Sequence, residues 1–549
     1  MADYRPPLDD IRFVLQHIVD VAALSDIDSV LGIVEEAGHF FEKEIAPTNR
    51  TGDIEGVRLE DGHVTTPTGF KEAYTKYVDA GWGAVPFDPE YGGGGFPWLV
   101  AIALQEMMTS ANMSFSMAPL LTQGAIELLA HHASPEQRAA YLPKMITGEW
   151  TGTMNLTEPQ AGSDVGAVRT KAVRRDGGTY GITGQKIFIT FGEHDMTDNI
   201  VHLVLARTPD APPGTKGISC FIVPKILDDG TRNAVTCVGI EHKLGIHASP
   251  TCVLAYEDAT GYLIGDENAG MRFMFTMMNN ARLSVGLQGL ALGERALQDA
   301  RAYAHERRQG RAIGSTTNEQ SPIVDHADVR RMLLTMRSLV DAMRCLVYTN
   351  AEATDLARRG STEHQELADL LTPITKGWCT DMGIEVTSLA IQIHGGMGFI
   401  EETGVAQHYR DARIPPIYEG TNGIQAMDLV GRKLPTRGGS VVKELLARMR
   451  VGASPALADA VDAVGESGDW LLERLAAGEL NDAMAGSVPY LRMWGIAVGG
   501  WLLARAAAAA GDNERPAVSR FFDAHFVPQV RGILPSVTAG AEVLFAVEL

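Results

Sequence analysis

The sequence predicts an α+β multidomain protein with an N-terminal helical domain, a central antiparallel β-barrel, a helical bundle and an extra C-terminal helical domain. The chain has 549 residues, a length typical of roughly three or four domains. Apolar residues recur at helical spacing in its first and last parts. Between these parts lie short segments rich in β-branched residues and separated by turns, which indicate strands.

The N-terminal helical domain is predicted over residues 1–150. Apolar positions three and four residues apart predict helices over 11–34 and 99–107. A polar, turn-rich stretch at 51–69 and a run of glycines at 92–95 interrupt the helical pattern.

The central domain is predicted over residues 151–268. Short strands at regular spacing, with turn residues between them, predict a small antiparallel barrel or sandwich. The strands are expected over 180–189, 199–206, 217–223, 234–240 and 251–256.

Helical periodicity returns in the third domain, predicted over residues 269–435, with helices expected over 325–360 and 363–394. Four leucines share one face of its first helix, namely Leu283, Leu287, Leu290 and Leu297.

A fourth domain is predicted over residues 436–549, after a linker that contains proline and glycine. Its apolar stretch 494–510 carries Arg505 and two adjacent glycines. Since the stretch is too short for a membrane span, it predicts a buried helix rather than a transmembrane segment.

Composition limits the classes of partner. Hydrophobic residues make up 45% and charged residues 21%, as in folded proteins. The net charge is −21 and no lysine/arginine cluster forms a basic face, which argues against nucleic-acid binding. The five cysteines stand singly, so no metal site or disulfide framework is indicated. We expect a reduced, cytoplasmic location.

Two segments of the central region carry residues that suit a ligand. Residues 154–164, MNLTEPQAGSD, offer the hydroxyls of Thr157 and Ser163 beside small residues that let backbone N–H groups approach. In QKIFITFG, Phe188 and Thr190 would share one strand face, which suits a flat ring with polar edges. Taken singly, the first segment could be an ordinary turn, and Phe188 could be plain core.

Three further segments lie in the predicted bundle. Arg307 and Arg308 in ERRQG could bind a pyrophosphate or form a solvated helix end. The glycines of QIHGGMGF permit close backbone approach or could cap a helix. Glu419 lies on a loop framed by proline and glycine, placed to project into a cleft. The alternative is a solvated glutamate beside an N-capping Thr421.

Together, TEPxAGSD, GQKxFIT, GGMGF and YEGT in this order form a specific signature. On these motifs the chain resembles the acyl-CoA dehydrogenase family from about residue 80 to residue 434. The resemblance implies that FAD is the cofactor, in a crevice between the domains. KLGIHASPTC, TKGWCTDMG and the C-terminal extension resemble the long bacterial members, a group that includes 3-methylmercaptopropionyl-CoA dehydrogenase.

The resemblance also implies which residues bind FAD. Phe188 would pack on the isoalloxazine ring, Thr190 would bond its N5 edge, and Ser163 would lie near the phosphates of FAD or CoA. Five residues would reach FAD across a subunit interface, namely Arg307, Gln309, Gln392, Gly395 and Gly396. The full set of matching positions is Met154, Leu156, Thr157, Ser163, Phe188, Thr190, Arg307, Gln309, Gln392, Gly395, Gly396 and Thr421.

For catalysis, Glu419 matches the base of the family, and Arg282 matches an arginine that supports the loop carrying this base. Some members place the base just before the position of Arg282. This chain has Ala281 there, so the sequence favours Glu419. Three positions depart from the residues common in the family: Phe188, Gly310 and Gly423.

The activity that the resemblance implies is α,β-dehydrogenation of an acyl-CoA thioester to the trans-2-enoyl-CoA, as in fatty acid β-oxidation. The substrate would be a fatty acyl-CoA or 3-methylmercaptopropionyl-CoA, and electrons would pass to an electron-transfer flavoprotein. The extension would cover the second dimer contact of shorter members, so we expect a homodimer. Two alternatives stay open: an acyl-CoA oxidase that uses O₂, and a non-catalytic acyl-CoA-binding scaffold.

Overall fold

The computed structural model describes residues 3–316, 318–511 and 513–548. The chain divides into two compact units. The sheet unit is Glu36–Ala281, and the bundle unit joins the chain before Glu36 to the chain after Ala281. The bounds of the four sequence-predicted domains stay a prediction.

The sheet unit begins with helices and a small hairpin, and its two central helices form the apolar interior of this part. All the residues of α5 are buried, and Asn112 starts α6 because its side chain accepts a hydrogen bond from the Phe115 amide at 3.0 Å. From the N-terminus, the elements before the large sheet are α1 (Leu8–His17), α2 (Ile27–Phe40), α3 (Pro47–Glu55), β1 (Arg58–Glu60), β2 (His63–Thr65), α4 (Phe70–Asp79), α5 (Trp98–Ala111), α6 (Met113–His132) and α7 (Pro135–Thr147). Of these, α1 and the first part of α2 belong to the bundle unit.

Within the described range 3–316, seven strands follow: β3 (Trp150–Asn155), β4 (Lys171–Arg174), β5 (Tyr180–Thr190), β6 (Asn199–Ala206), β7 (Ser219–Pro224), β8 (Val235–Ile240) and β9 (Thr251–Leu263). Their order in the sheet is β3-β6-β7-β9-β5-β4, and β8 also pairs with β9. β3 pairs with β6 in parallel, with Trp150 opposite Asn199, and the other pairs are antiparallel.

The predicted closed antiparallel barrel is therefore wrong, because the seven strands form an open, mixed sheet that ends at β3 and β4. The five predicted strands are present, whereas β3 and β4 were not predicted. The spacing and composition of strands report which residues are extended. They do not report which strands pair at the edges, since pairing depends on residues far apart in sequence.

The bundle unit contains three long helices, α8 (Gly270–Glu306), α9 (Ala327–Arg358) and α10 (Thr362–His394), and α8 enters it at Arg282. The four leucines predicted to share a face of α8 are all buried, which confirms the prediction. Gly289 has a packing role, because a Cβ there would collide with the Cys379 carbonyl of α10. After these come α11 (Val405–Ala412) and α12 (Asn422–Asp428), and a π-helical turn, Leu429–Lys433.

The C-terminal extension consists of α13 (Ser440–Arg450), α14 (Pro455–Ala476), α15 (Leu480–Ala485), α16 (Ser487–Ala509), α17 (Arg515–His525), α18 (Gln529–Thr538) and α19 (Glu542–Phe545). Most of α16 is buried, as its apolar sequence predicted. Asp10 of α1 accepts hydrogen bonds from Arg337 at 2.8 Å and Arg515 at 2.5 Å, which connects α1 to α9 and α17. Among the described residues, no helix is long and apolar enough to cross a membrane.

Candidate active site

The first group of predicted site residues lies in the sheet unit, where the segment after β3 runs beside β5. The Ile187 amide donates a hydrogen bond to the Thr157 carbonyl oxygen at 2.9 Å. Lys186 Nζ donates to the Leu156 carbonyl oxygen, also at 2.9 Å. The structure therefore brings together the two segments that the sequence analysis selected in the central region.

An ion pair that the sequence analysis missed connects these segments. Lys186 Nζ lies 2.8 Å from Glu158 Oε1, and both side chains are buried. Burial lowers the pKa of Lys186 to about 8. Burial acts to raise the pKa of Glu158, but Lys186 and hydrogen bonds from Thr170 and Arg169 hold it at about 2. The available signal was one charged residue inside each motif, Glu158 in the first and Lys186 in the second. The prediction used only the hydroxyls and the aromatic ring of these motifs.

Phe188 lies at an irregularity in β5. The pairing of β5 with β9 shifts between Lys186 and Ile189, and Phe188 takes a φ of +59°. A phenylalanine in this left-handed region is strained, and such strain is concentrated at functional sites. The side chain is 57% exposed while its neighbour Ile189 is buried, so the alternative that Phe188 is plain core is wrong. The bulge presents a flat apolar ring at the sheet surface, beside the half-buried Thr190.

The other predicted residues of this group differ in their solvent exposure. Leu156 is buried, Met154 and Thr157 are half-buried, and Ser163 is exposed. A Cβ added to Gly162 would meet no atom within 4 Å, so the backbone beside Ser163 is open to a ligand. Exposed ring, half-buried hydroxyl and open backbone suit a flat ligand with a charged tail.

The second group lies in the bundle unit, on the loop between α11 and α12. Glu419 is half-buried and has a φ of +55°, and Gly420 follows with a φ of +84°. The Asn422 amide donates to the Pro416 carbonyl oxygen at 3.0 Å, which closes the loop. Thr421 caps α12 by accepting from the Ile424 amide at 3.2 Å, so the capping role considered for Thr421 is present.

Two buried cations act on Glu419. Burial raises the pKa of Glu419 to about 7, against the lowering effect of Lys376 first and Arg282 second. Arg282 donates to Asp428 Oδ2 at 3.3 Å, and both are buried. Arg282 thus lies close enough to lower the pKa of Glu419, and its predicted role in supporting the loop stays a prediction. A carboxyl group with a pKa near neutrality can take and return a proton at neutral pH.

Two further residues of this loop environment were missed by the sequence analysis. Tyr418 donates its hydroxyl proton to Gln288 of α8, which anchors the loop. Lys376 of α10 is fully buried and donates to Asn422 Oδ1 at 2.9 Å. The available signal was a lysine within a helical stretch whose neighbours are apolar. The role of Lys376 follows only from its hydrogen bond with Asn422, which lies on a loop far along the sequence.

The third group lies where α8 and α10 end. The ring of Tyr303 stacks on His394 with centroids 4.2 Å apart, which brings the two helix ends together. Arg307, Gln309, Gln392, Gly395 and Gly396 are all exposed there. Cβ atoms added to the two glycines would meet nothing within 4 Å. These predicted residues are therefore exposed near the ends of α8 and α10. In the part of the chain that the structure describes, no cluster of metal-binding side chains occurs.

Comparison with known proteins places this geometry in context. Family profiles match in order: "Acyl-CoA dehydrogenase, N-terminal domain" over residues 31–149, "middle domain" over 153–259, and "C-terminal domain" over 268–434. A fourth, "Acetyl-CoA dehydrogenase C-terminal like", matches 445–548.

Among similar proteins, 3-methylmercaptopropionyl-CoA dehydrogenase of Ruegeria pomeroyi is 49% identical over 92% of this chain and 91% of its own length. A butyryl-CoA dehydrogenase of Syntrophomonas wolfei is 38% identical over 80% of this chain and 77% of its own. The fold also resembles an acyl-CoA dehydrogenase complexed with FAD from Bacillus anthracis, with a TM-score of 0.78, 20% identity, and coverage of 98% and 92% of the two chains.

Proposed function

Because the chain belongs to the acyl-CoA dehydrogenase family, we propose that it removes the hydrogens from the α and β carbons of an acyl-CoA thioester, with Glu419 as the base. The product is the trans-2-enoyl-CoA. The observation that carries the proposal is the environment of Glu419: a left-handed loop residue, half-buried, with two buried cations acting on it. A loop held in this strained geometry orients a carboxylate for a specific task.

FAD is the cofactor, and when it is bound it supplies the acceptor of two electrons. In the sheet unit, the exposed Phe188 ring and the open backbone at Gly162 fit such a group, so we assign the ring contacts to Met154, Leu156, Thr157, Phe188 and Thr190, and the phosphate contact to Ser163. In the bundle unit, Thr421 would contact the cofactor. The exposed residues Arg307, Gln309, Gln392, Gly395 and Gly396 would reach the cofactor of a second subunit.

Proton removal is the demanding step for the protein, because a C–H bond next to a thioester is a poor acid. The base must be ionised and desolvated, and the oxygen that gains charge must be stabilised. With a pKa of about 7, the carboxyl group of Glu419 can be ionised at neutral pH, and its partial burial limits its contact with water. Its own backbone N–H donates no hydrogen bond among the described residues. That N–H is therefore available to bind the thioester oxygen.

Replacement of the base tests this proposal. Glu419→Gln removes the proton acceptor and keeps the shape, so FAD should stay bound while turnover falls by about a hundredfold to ten-thousandfold. Glu352→Gln is a matched control, since burial also raises the pKa of Glu352, which lies on α9 away from the loop. Near-normal turnover in Glu419→Gln would overturn the assignment.

For the substrate we propose a fatty acyl-CoA or 3-methylmercaptopropionyl-CoA. The relative from Ruegeria pomeroyi supports the second through its name and its 49% identity. Initial rates with acyl-CoAs from short to long chains and with the sulfur compound would rank these substrates. If no thioester bleached the flavin, the protein would instead be a non-catalytic scaffold.

For the electron acceptor we propose an electron-transfer flavoprotein. An oxidase would pass the electrons to O₂ and release peroxide during turnover. Peroxide formation compared with reduction of the flavoprotein or a dye separates the two, and stoichiometric peroxide would contradict the proposal.

For the assembly we propose a homodimer, because the extension α13–α19 follows the bundle that shorter members use for a second dimer contact. Light scattering should give about twice the subunit mass of 59.1 kDa. A mass of four subunits would contradict it.

A further inference from the structure

Lys376 is a lysine of the bundle unit, and the burial of its charged side chain needs an explanation. It lies in α10 with no solvent exposure. Its ammonium group donates to Asn422 Oδ1 at 2.9 Å, and among the described residues this neutral oxygen is its one hydrogen-bond acceptor. A buried ammonium ion is costly unless a negative charge compensates it.

Asn422 connects Lys376 to the loop of Glu419. Its amide closes the loop on Pro416, and its side-chain Nδ2 donates to the Gly377 carbonyl at 3.0 Å and to Asp381 Oδ1 at 2.7 Å. The residue that ends the catalytic loop is therefore fastened to the turn of α10 that carries Lys376. This attachment holds the ammonium group at the loop, three residues after Glu419.

Several charged or titratable groups lie near this pair. Arg282 shares Asp428 with Arg432, so its charge is already compensated by a neighbouring carboxylate. Among the anions, Glu419 acts most strongly on Lys376, and Asp381 acts second. Among the described residues, the groups that act on Glu419, Lys376 or their closest neighbours include Arg282 of α8, Asp381 of α10, Tyr418 of the loop, Asp428 of α12, Arg432 of the π-helical turn, Arg413 and Arg492.

We propose that Lys376 is a positioning residue whose charge, held at the catalytic loop by its hydrogen bond to Asn422, keeps Glu419 ionised in the resting enzyme. The inference rests on the proposed role of Glu419 as the base. Burial lowers the pKa of Lys376 to about 7 and raises the pKa of Glu419 to about 7, while each charge favours the charged form of the other. Without the cation, burial would act on Glu419 against Arg282 alone, so the pKa of Glu419 would rise further.

Lys376→Met tests the inference, since it keeps the length and removes the charge. Infrared difference spectra of each protein against its Glu419→Gln counterpart report the protonated carboxyl directly. The midpoint of that titration should rise by about one pH unit or more. The acid limb of kcat/KM should move by the same amount, with activity recovering at high pH.

Thr380→Val is the matched control. Thr380 is buried and exchanges hydrogen bonds with Asn422, accepting from Nδ2 at 2.9 Å, so its removal disturbs the same attachment without changing charge. Its infrared midpoint should stay at the wild-type value. Lys376→Arg, which restores a cation, should leave the midpoint at or below the wild-type value, and it tests the inference even if Lys376→Met does not fold.

An unchanged midpoint in Lys376→Met would overturn the inference, as would an equal rise in Thr380→Val or any rise in Lys376→Arg. Failure of the proposed function gives a different pattern. In that case Glu419→Gln would stay active, while the infrared titration of Glu419 would still respond to Lys376.

Discussion

The buried pair of Lys186 and Glu158 gives a prediction whose size can be worked out. Glu158 has a pKa of about 2 in the folded protein against 4.5 in the unfolded chain, a difference worth about 3 kcal/mol above pH 4.5. Because the folded pKa is the lower one, this stability is present above pH 4.5 and is lost as the pH falls through about 2. The pKa of Lys186 is lowered to about 8 from 10.5, so its charged form costs a similar amount at neutral pH.

The two contributions nearly cancel, so the pair as a whole adds little net stability, whereas loss of one partner is expensive. The two single variants should differ. After Lys186→Met, Glu158 still accepts hydrogen bonds from the Arg169 amide at 2.7 Å and from Thr170. After Glu158→Gln, Lys186 faces only neutral acceptors, the Leu156 carbonyl and the amide oxygen of the new side chain, and has lost its negative partner. We therefore expect Glu158→Gln to cost about 3 kcal/mol, more than Lys186→Met, and the double variant to resemble Lys186→Met.

Hydrogen exchange measured by mass spectrometry is the assay, because the Ile187 amide bonds to the Thr157 carbonyl beside the pair. A loss of about 3 kcal/mol corresponds to exchange about a hundredfold faster at Ile187 in Glu158→Gln. Peptides from the α16 region serve as an internal control and should not change. Exchange at Ile187 within threefold of the wild type would refute the reasoning.

Two further outcomes follow from other charged groups. Since Glu419 must be ionised to take a proton, kcat/KM should fall about tenfold per pH unit below its pKa of about 7 and level off above it, and a profile that stays flat from pH 5 to 9 would contradict this. Asp10→Ala removes the shared acceptor of Arg337 and Arg515, so thermal unfolding should show a loss of about 2 kcal/mol, with Asp10→Asn in between; equal stability of the three proteins would show that the contact is inert.

The local pattern of apolar residues was sufficient to predict most of the individual helices and strands for which bounds were predicted. Strand β6 matches its predicted bounds, 199–206, and helix α10 begins one residue before its prediction. Because one face of a helix or strand is buried, apolar residues recur with the period of that element. This period can be recognised from residues that are neighbours in the sequence. Strand β3 was missed because its partner β6 comes about fifty residues later, and no local pattern records that pairing.

The residues of the candidate site also divide into those that the sequence predicted and those that it missed. Glu419 was predicted as the base from the family resemblance, which several motifs along the chain carry together; its own loop left a solvated glutamate open. Lys376 and Lys186 were missed, since each acts through a partner on another segment. The interpretation of Phe188 needed both kinds of information: a strand pattern placed it on β5, and the bulge that exposes it arises from the pairing with β9.

The most direct test of the central claim is a crystal structure of the Glu419→Gln variant with FAD and an acyl-CoA bound. We expect the side-chain oxygen of residue 419 to lie about 3–3.5 Å from the α carbon of the thioester, with the 419 backbone N–H on the thioester oxygen. A side chain turned away from the α carbon, or another carboxylate in that position, would contradict the account.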